Sequence, residues 1–113
     1  MPFIGMTTNV AVGKDTELSL KRRFGEAIAI IPGKTEAKTM MAFTDGCVMY
    51  FKGDDAPMAF VEVKCFGSSP GEAYNELTGA LCAIISDELG IDPGRIYVRY
   101  DETAYWGCNG KNL

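Results

Sequence analysis

Apolar and polar positions alternate with the period of a strand, then repeat with the period of a helix, and this succession is written twice along the chain. Residues 3–10 read as a first strand of mixed alternation. Thr16 to Ile31 reads as a helix. Its apolar residues Leu20, Phe24, Ala27, Ile28 and Ile31 line one face, Asp15 or Thr16 supplies the cap, and Pro32-Gly33 stops it. A short strand follows over Lys38 to Phe43, then the turn signal Asp45-Gly46 and a second short strand at Val48 to Phe51. The pattern restarts at Met58 to Phe66, where Val61 and Val63 alternate with Glu62 and Lys64. Ser69, Pro70 and Glu72 form a helix start with a capping box, and the helix runs to about Leu89 before Gly90. Ala73, Leu77, Ala80, Leu81 and Ile84 share its apolar face, and Ile96 to Tyr100 is the fourth main strand.

Strand–helix–strand therefore occurs twice. Even the turns before the closing strands match, as Pro32-Gly33-Lys34 and Pro93-Gly94-Arg95. The expected fold class is α+β: duplicated β-α-β units forming a four-stranded sheet packed under two antiparallel helices. Such a sheet keeps apolar residues on the face that no helix covers. A closed cyclic oligomer would bury them, and a two-layer monomer is the alternative.

Length and composition narrow the classes. The 113 residues fit one domain, 1–113, and 47% hydrophobic with 23% charged residues is an ordinary globular balance. The net charge of −4 argues against a nucleic-acid partner, which needs concentrated basic surface. No apolar run approaches the roughly 18 residues of a membrane span, and no signal peptide is visible. A cytoplasmic protein is expected, with release possible only by a route that needs no signal peptide. Cys47, Cys65, Cys82 and Cys108 lack the spacing of a zinc site and are expected to be reduced and mostly buried. The chain has no histidine, so acid–base chemistry falls to amine, carboxylate, phenol or thiol.

The start of the chain offers such a group. It reads Met1-Pro2-Phe3-Ile4, and an initiator methionine is normally trimmed before a small residue. Trimming would leave Pro2 with a free secondary amine. A terminal amine has a reference pKa of about 7.7–8.0, and apolar walls or a nearby cation lower it toward neutrality.

The chain resembles the macrophage migration inhibitory factor family, which includes D-dopachrome tautomerase, within the tautomerase superfamily. The resemblance rests on Met1-Pro2-Phe3-Ile4, Thr8-Asn9-Val10, Pro32-Gly33-Lys34 and Ala56-Pro57. It continues in Val61 to Gly67, Ile91 to Tyr100 and Trp106 to Gly110, and so spans essentially the whole chain. It implies a ring-like homotrimer with pockets between subunits and a cofactor-free keto–enol tautomerase acting on small aryl keto or enol acids such as phenylpyruvate. The alternative is a cytokine-like protein that binds a protein receptor and carries a vestigial pocket. Sibling chemistries such as decarboxylation or hydration of small acids are a third reading.

The resemblance assigns roles to residues. Pro2 would be the general base, Lys34 the holder of the substrate carboxylate, and Tyr97, donated by a neighbouring subunit, a pocket wall and hydrogen-bond donor. Phe66 would contact substrate through its backbone, and Phe3 and Trp106 would add apolar walls. Arg99 stands where the cytokine branch has asparagine, and could add a second carboxylate contact. Lys38 stands where a bulky residue is common, and would favour acidic substrates. Cys108 replaces a common tryptophan. Pro57-Met58-Ala59-Phe60 lacks the C-x-x-C of the mammalian cytokine, so no thiol oxidoreductase activity is expected.

Overall fold

The computed structural model describes residues 1–113. Its first unit is β1 (Pro2–Thr8), α1 (Lys14–Ala27) and β2 (Met40–Thr44). The second is β3 (Ala59–Phe66), α2 (Gly71–Leu89) and β4 (Ile96–Thr103), and a small hairpin of β5 (Gly107–Cys108) and β6 (Lys111–Asn112) ends the chain. The sheet order is β2-β1-β3-β4. Each unit pairs its own strands in parallel, and β1 joins β3 antiparallel, so the helices also run opposite ways. This is the α+β architecture expected from the duplicated pattern.

The core lies between the helices and one sheet face. Ile4, Met6, Val61, Val63 and Cys65 point into it from the two central strands. Leu20, Phe24, Ala27 and Ile28 meet them from the first helical segment, and Leu77, Leu81, Ile84 and Ile85 from the second. The other face carries Phe3, Phe60, Tyr97 and Arg99 and has no helix. Met40 at its edge is 70% exposed. No helix is long and apolar enough to cross a membrane.

Several boundaries differ from the sequence pattern. β1 stops at Thr8, two residues early. The buried Thr8 hydroxyl donates to the Met58 carbonyl (2.7 Å) and accepts from the Val10 N–H (3.1 Å), which turns the chain out of the sheet. α1 begins at Lys14, capped by Gly13 without help from Asp15 or Thr16. Its last turn tightens into a 3-10 segment at Ile28–Ile30. The capping box at Ser69 does not form. The cap is Pro70, which has no N–H for Glu72 to accept from, and the Ser69 N–H donates instead to Glu102 (3.0 Å). Lys38 belongs to a 3-10 turn, Glu36–Lys38, and not to β2.

Val48 to Phe51 forms no strand. Within one chain it has no strand neighbour, and Phe51 bridges only Asp54 around Lys52 (φ 53°) and Gly53 (φ 81°). The cysteines are free, but only Cys65 is buried, and Cys108 is exposed on the hairpin. β4 runs three residues past Tyr100 because it follows β3 in register to Phe66↔Thr103.

Candidate active site

The site begins at the open end of β1. Pro2 is buried, faces the helices, and pairs with Cys65 across the strand boundary. Ahead of it, the Met1 carbonyl accepts from the Phe66 N–H (3.1 Å). Phe66 also offers its own carbonyl, which accepts from Lys34 Nζ at 3.0 Å. The Lys34 side chain thus reaches from the turn after α1 to the end of β3, and its charge ends beside the chain terminus. Gly33, at φ 78°, turns the backbone so that this reach begins in the right direction.

Electrostatics at the terminus reflect this placement. The Met1 terminal amine is held below its ordinary value near 8, first by burial and next by the Lys34 charge and hydrogen bond. Lys38 adds a smaller push the same way, and Cys65 opposes it. Lys38 is itself exposed. Burial pushes the Cys65 thiol up, against the pull of Lys34, which keeps it a neutral neighbour.

Beyond Cys65 in the same row lies Glu102, which accepts from the Tyr74 hydroxyl (2.6 Å). Burial, then that bond, pushes Tyr74 up to about 12. Neither motif nor spacing points to Cys65 or to this pair. The only sequence signal for Cys65 is its place on the inward row with Val61 and Val63.

The expected site residues do not all meet in one chain. Pro2, Lys34, Phe66 and Lys38 gather at one end. Phe3 is next to Pro2 but on the opposite sheet face, half-buried, with its ring over Gly5, where an added Cβ would sit 2.9 Å from it. Tyr97 is 61% exposed in the row of Phe60 and Thr7, far from Pro2, and stacks on Phe51 at 4.8 Å. Arg99 shares the Tyr97 face as alternation predicts, but Asp101 holds its guanidinium at 3.1 Å. Trp106 is half-buried before the hairpin. No hydrogen bond or ring stacking ties it to Pro2 or Lys34, and its carbonyl accepts from the Leu113 N–H (2.9 Å).

The larger hollows of the single chain do not include Pro2 or Lys34, although one of about 330 Å³ at Gly67, Ser68, Glu102, Thr103 and Ala104 adjoins the end of β3. The roomiest, about 590 Å³, sits between α1 and β2 and is lined by Lys21, Glu36, Ala37, Thr39, Met41 and Phe43. Its volume does not make it the site, because neither Pro2 nor Lys34 borders it. A wholly apolar hollow of about 350 Å³ includes Phe51, Phe60 and Tyr97. No grouping of three acidic or thiol side chains could hold a metal ion.

Comparison with known proteins gives a consistent picture. The sequence model of the Macrophage migration inhibitory factor (MIF) family matches residues 1–112. Macrophage migration inhibitory factor of Mus musculus is 28% identical, with 100% of this chain and 99% of that protein covered. The crystal structure of Leishmania major MIF2 superposes with a TM-score of 0.93 at 33% identity, covering 100% of this chain and 97% of that one. A homologue from Prochlorococcus marinus gives 0.88 at 28% identity, with 97% of each chain covered.

Proposed function

The chain belongs to the macrophage migration inhibitory factor family, within the tautomerase superfamily, and on that premise we propose that it is a cofactor-free keto–enol tautomerase of the phenylpyruvate type. Removal of Met1 makes Pro2 the terminal amine and the general base. Its nitrogen takes a proton from the carbon next to the substrate's keto group and returns one to the enol in the reverse direction. Lys34 holds the carboxylate and favours the developing enolate charge.

One observation carries this reading. Lys34 Nζ donates to the Phe66 carbonyl (3.0 Å) while the Phe66 N–H donates to the Met1 carbonyl (3.1 Å), so the lysine is tied through one residue to the chain terminus. The Phe66 N–H that donates to the Met1 carbonyl loses that acceptor when Met1 leaves, and becomes a donor for a substrate oxygen beside Pro2.

A homotrimer completes the reading. The exposed Tyr97 of one subunit would wall the pocket over the Pro2 of the next, with Phe3 and Trp106 contributing apolar surface. The test is phenylpyruvate enol-to-keto conversion by the trimmed protein and by Pro2→Gly. We expect fast conversion by the first and a loss of about a hundredfold or more in the second; equal, slow rates in both would overturn the reading. The pairing of Arg99 with Asp101 favours a second reading, a receptor-binding protein with a weakened pocket, because it neutralises one of the expected anion holders. Receptor binding that survives Pro2→Gly, with negligible turnover by wild type, would establish that alternative.

A further inference from the structure

Most cations of this chain are neutralised. Lys14, Lys21, Arg22, Arg23, Arg95 and Arg99 each have a carboxylate within ion-pair distance. Lys34 and Lys38 have none, as is also true of Lys52, Lys64 and Lys111, although acidic residues outnumber basic ones by 15 to 11. Of the unpaired cations, Lys34 and Lys38 are the two whose charge bears on the terminal amine. Glu36 stands between them in sequence and is their natural partner. Its carboxylate instead turns back onto Lys21 at 2.8 Å. The space it uses exists because residue 25 is glycine: a Cβ on Gly25 would lie 2.3 Å from the Glu36 carboxyl. The local fold draws the one nearby negative charge away and leaves two lysines uncompensated.

Both lysines lie at the end of the sheet where β1 begins. Lys34 reaches it through the Phe66 carbonyl at 3.0 Å. Lys38 ends the 3-10 turn Glu36–Lys38, one residue short of β2, whose first residue Met40 pairs with Phe3. Lys38 therefore stands at the end of the sheet where β1 begins. The exposed Lys38 ammonium adjoins the mouth of the site, while Lys34 lies deeper. Two cations at one end of the sheet with no counter-ion favour a ligand that supplies negative charge.

We propose that this site takes a 2-oxo dicarboxylate in preference to an aryl pyruvate, which carries only one carboxylate, with Lys34 holding the carboxylate beside the keto group and Lys38 the distal one. The inference rests on the tautomerase reading and names its substrate class. The chemistry is unchanged. The Pro2 nitrogen takes one proton from the carbon between the keto group and the distal carboxylate, a proton is delivered to the keto oxygen, and no other bond breaks. Nothing is oxidised or reduced. The second carboxylate adds a contact that an aryl ring cannot make, and the paired lysines steer a dianion toward a chain that is otherwise net negative.

The test uses the full chain with Met1 removed, verified by intact mass, and follows enol–keto interconversion of oxaloacetate and of phenylpyruvate above their uncatalysed rates. We expect a higher kcat/KM for oxaloacetate. Charge reversal by Lys38→Glu, at an exposed position that the fold tolerates, is expected to raise KM for oxaloacetate about fivefold more than KM for phenylpyruvate. Salt of about 0.5 M is expected to shrink the wild-type preference. If phenylpyruvate is converted but oxaloacetate is no better, or if Lys38→Glu shifts both substrates equally, the dicarboxylate proposal is overturned and the tautomerase reading stands. If neither substrate is converted by trimmed protein, the tautomerase reading falls and this inference with it.

Discussion

Pro2 and Tyr97 occupy opposite faces and opposite ends of the same sheet. Pro2 lies in the row of Cys65 and points toward the helices, whereas Tyr97 lies in the row of Phe60 and Thr7 and points away from them. Five residues of β1 separate the rows, or about 17 Å at the usual rise of a strand. A single chain therefore cannot bring the two side chains to one substrate.

Subunit mixing tests whether two chains do. Pro2→Gly and Tyr97→Ala chains are each expected to be impaired. Unfolded together and refolded as one population, they should regain activity, because about a quarter of the pockets in a randomly mixed ring would draw both residues intact from different subunits. Absence of any recovery would rule out a shared pocket.

The lowered terminal amine sets a pH dependence. Burial and Lys34 disfavour protonation of the Met1 amine, and the same walls and cation would act on the Pro2 amine that replaces it, lowering its value from the ordinary one. Activity should rise with pH through a value below the ordinary one near 8 and then level off. Lys34→Ala removes the cation, so the acid limb should move up by about one pH unit while kcat/KM falls about a hundredfold. A kcat/KM profile over pH checks both, and an unmoved limb would show that Lys34 does not act on the amine.

Arg95 fastens the 51–57 loop. It donates to the Pro57 carbonyl (3.0 Å) and the Ala56 carbonyl (3.1 Å), pairs with Asp54 (2.8 Å) and lies over the Phe51 ring. Lysine cannot reproduce this fan of donors. Arg95→Lys is expected to cost about 2 kcal/mol and to speed amide exchange at Gly53 and Asp54. Denaturant midpoints and exchange rates at the level of wild type would contradict this.

Thr8 is the one buried polar side chain of the core, and its hydroxyl is fully used. Thr8→Val keeps the volume but strands the Met58 carbonyl and the Val10 N–H. A loss of about 1–3 kcal/mol in urea unfolding is expected, with β1 otherwise intact.

The two helices and four main strands are legible in the sequence because each buries a continuous apolar face, and burial is written in periodicity. Leu20, Phe24 and Ile28, or Val61 and Val63, could hardly face elsewhere. The boundaries are not legible, since distant groups decide them: Glu102 takes the Ser69 N–H, and Met58 takes the Thr8 hydroxyl. The terminal hairpin escapes periodicity because two-residue strands around Asn109-Gly110 have no period to read. At the site, the residue types at Pro2 and Lys34 carry a signal, but their meeting through Phe66 needs the strand register. Asp101 claiming Arg99 is an i,i+2 contact along one strand face, which alternation permits but does not dictate.

The placement of β1 between β2 and β3 leaves processing at this end almost no tolerance. Losing Met1 removes a single backbone hydrogen bond, the one from Phe66. A further cut would delete Pro2, the first residue of the strand at the sheet's centre. If Pro2 is the base, a peptidase acting here has one productive outcome, and a purification tag fused ahead of Met1 is expected to abolish turnover while leaving the melting curve nearly untouched.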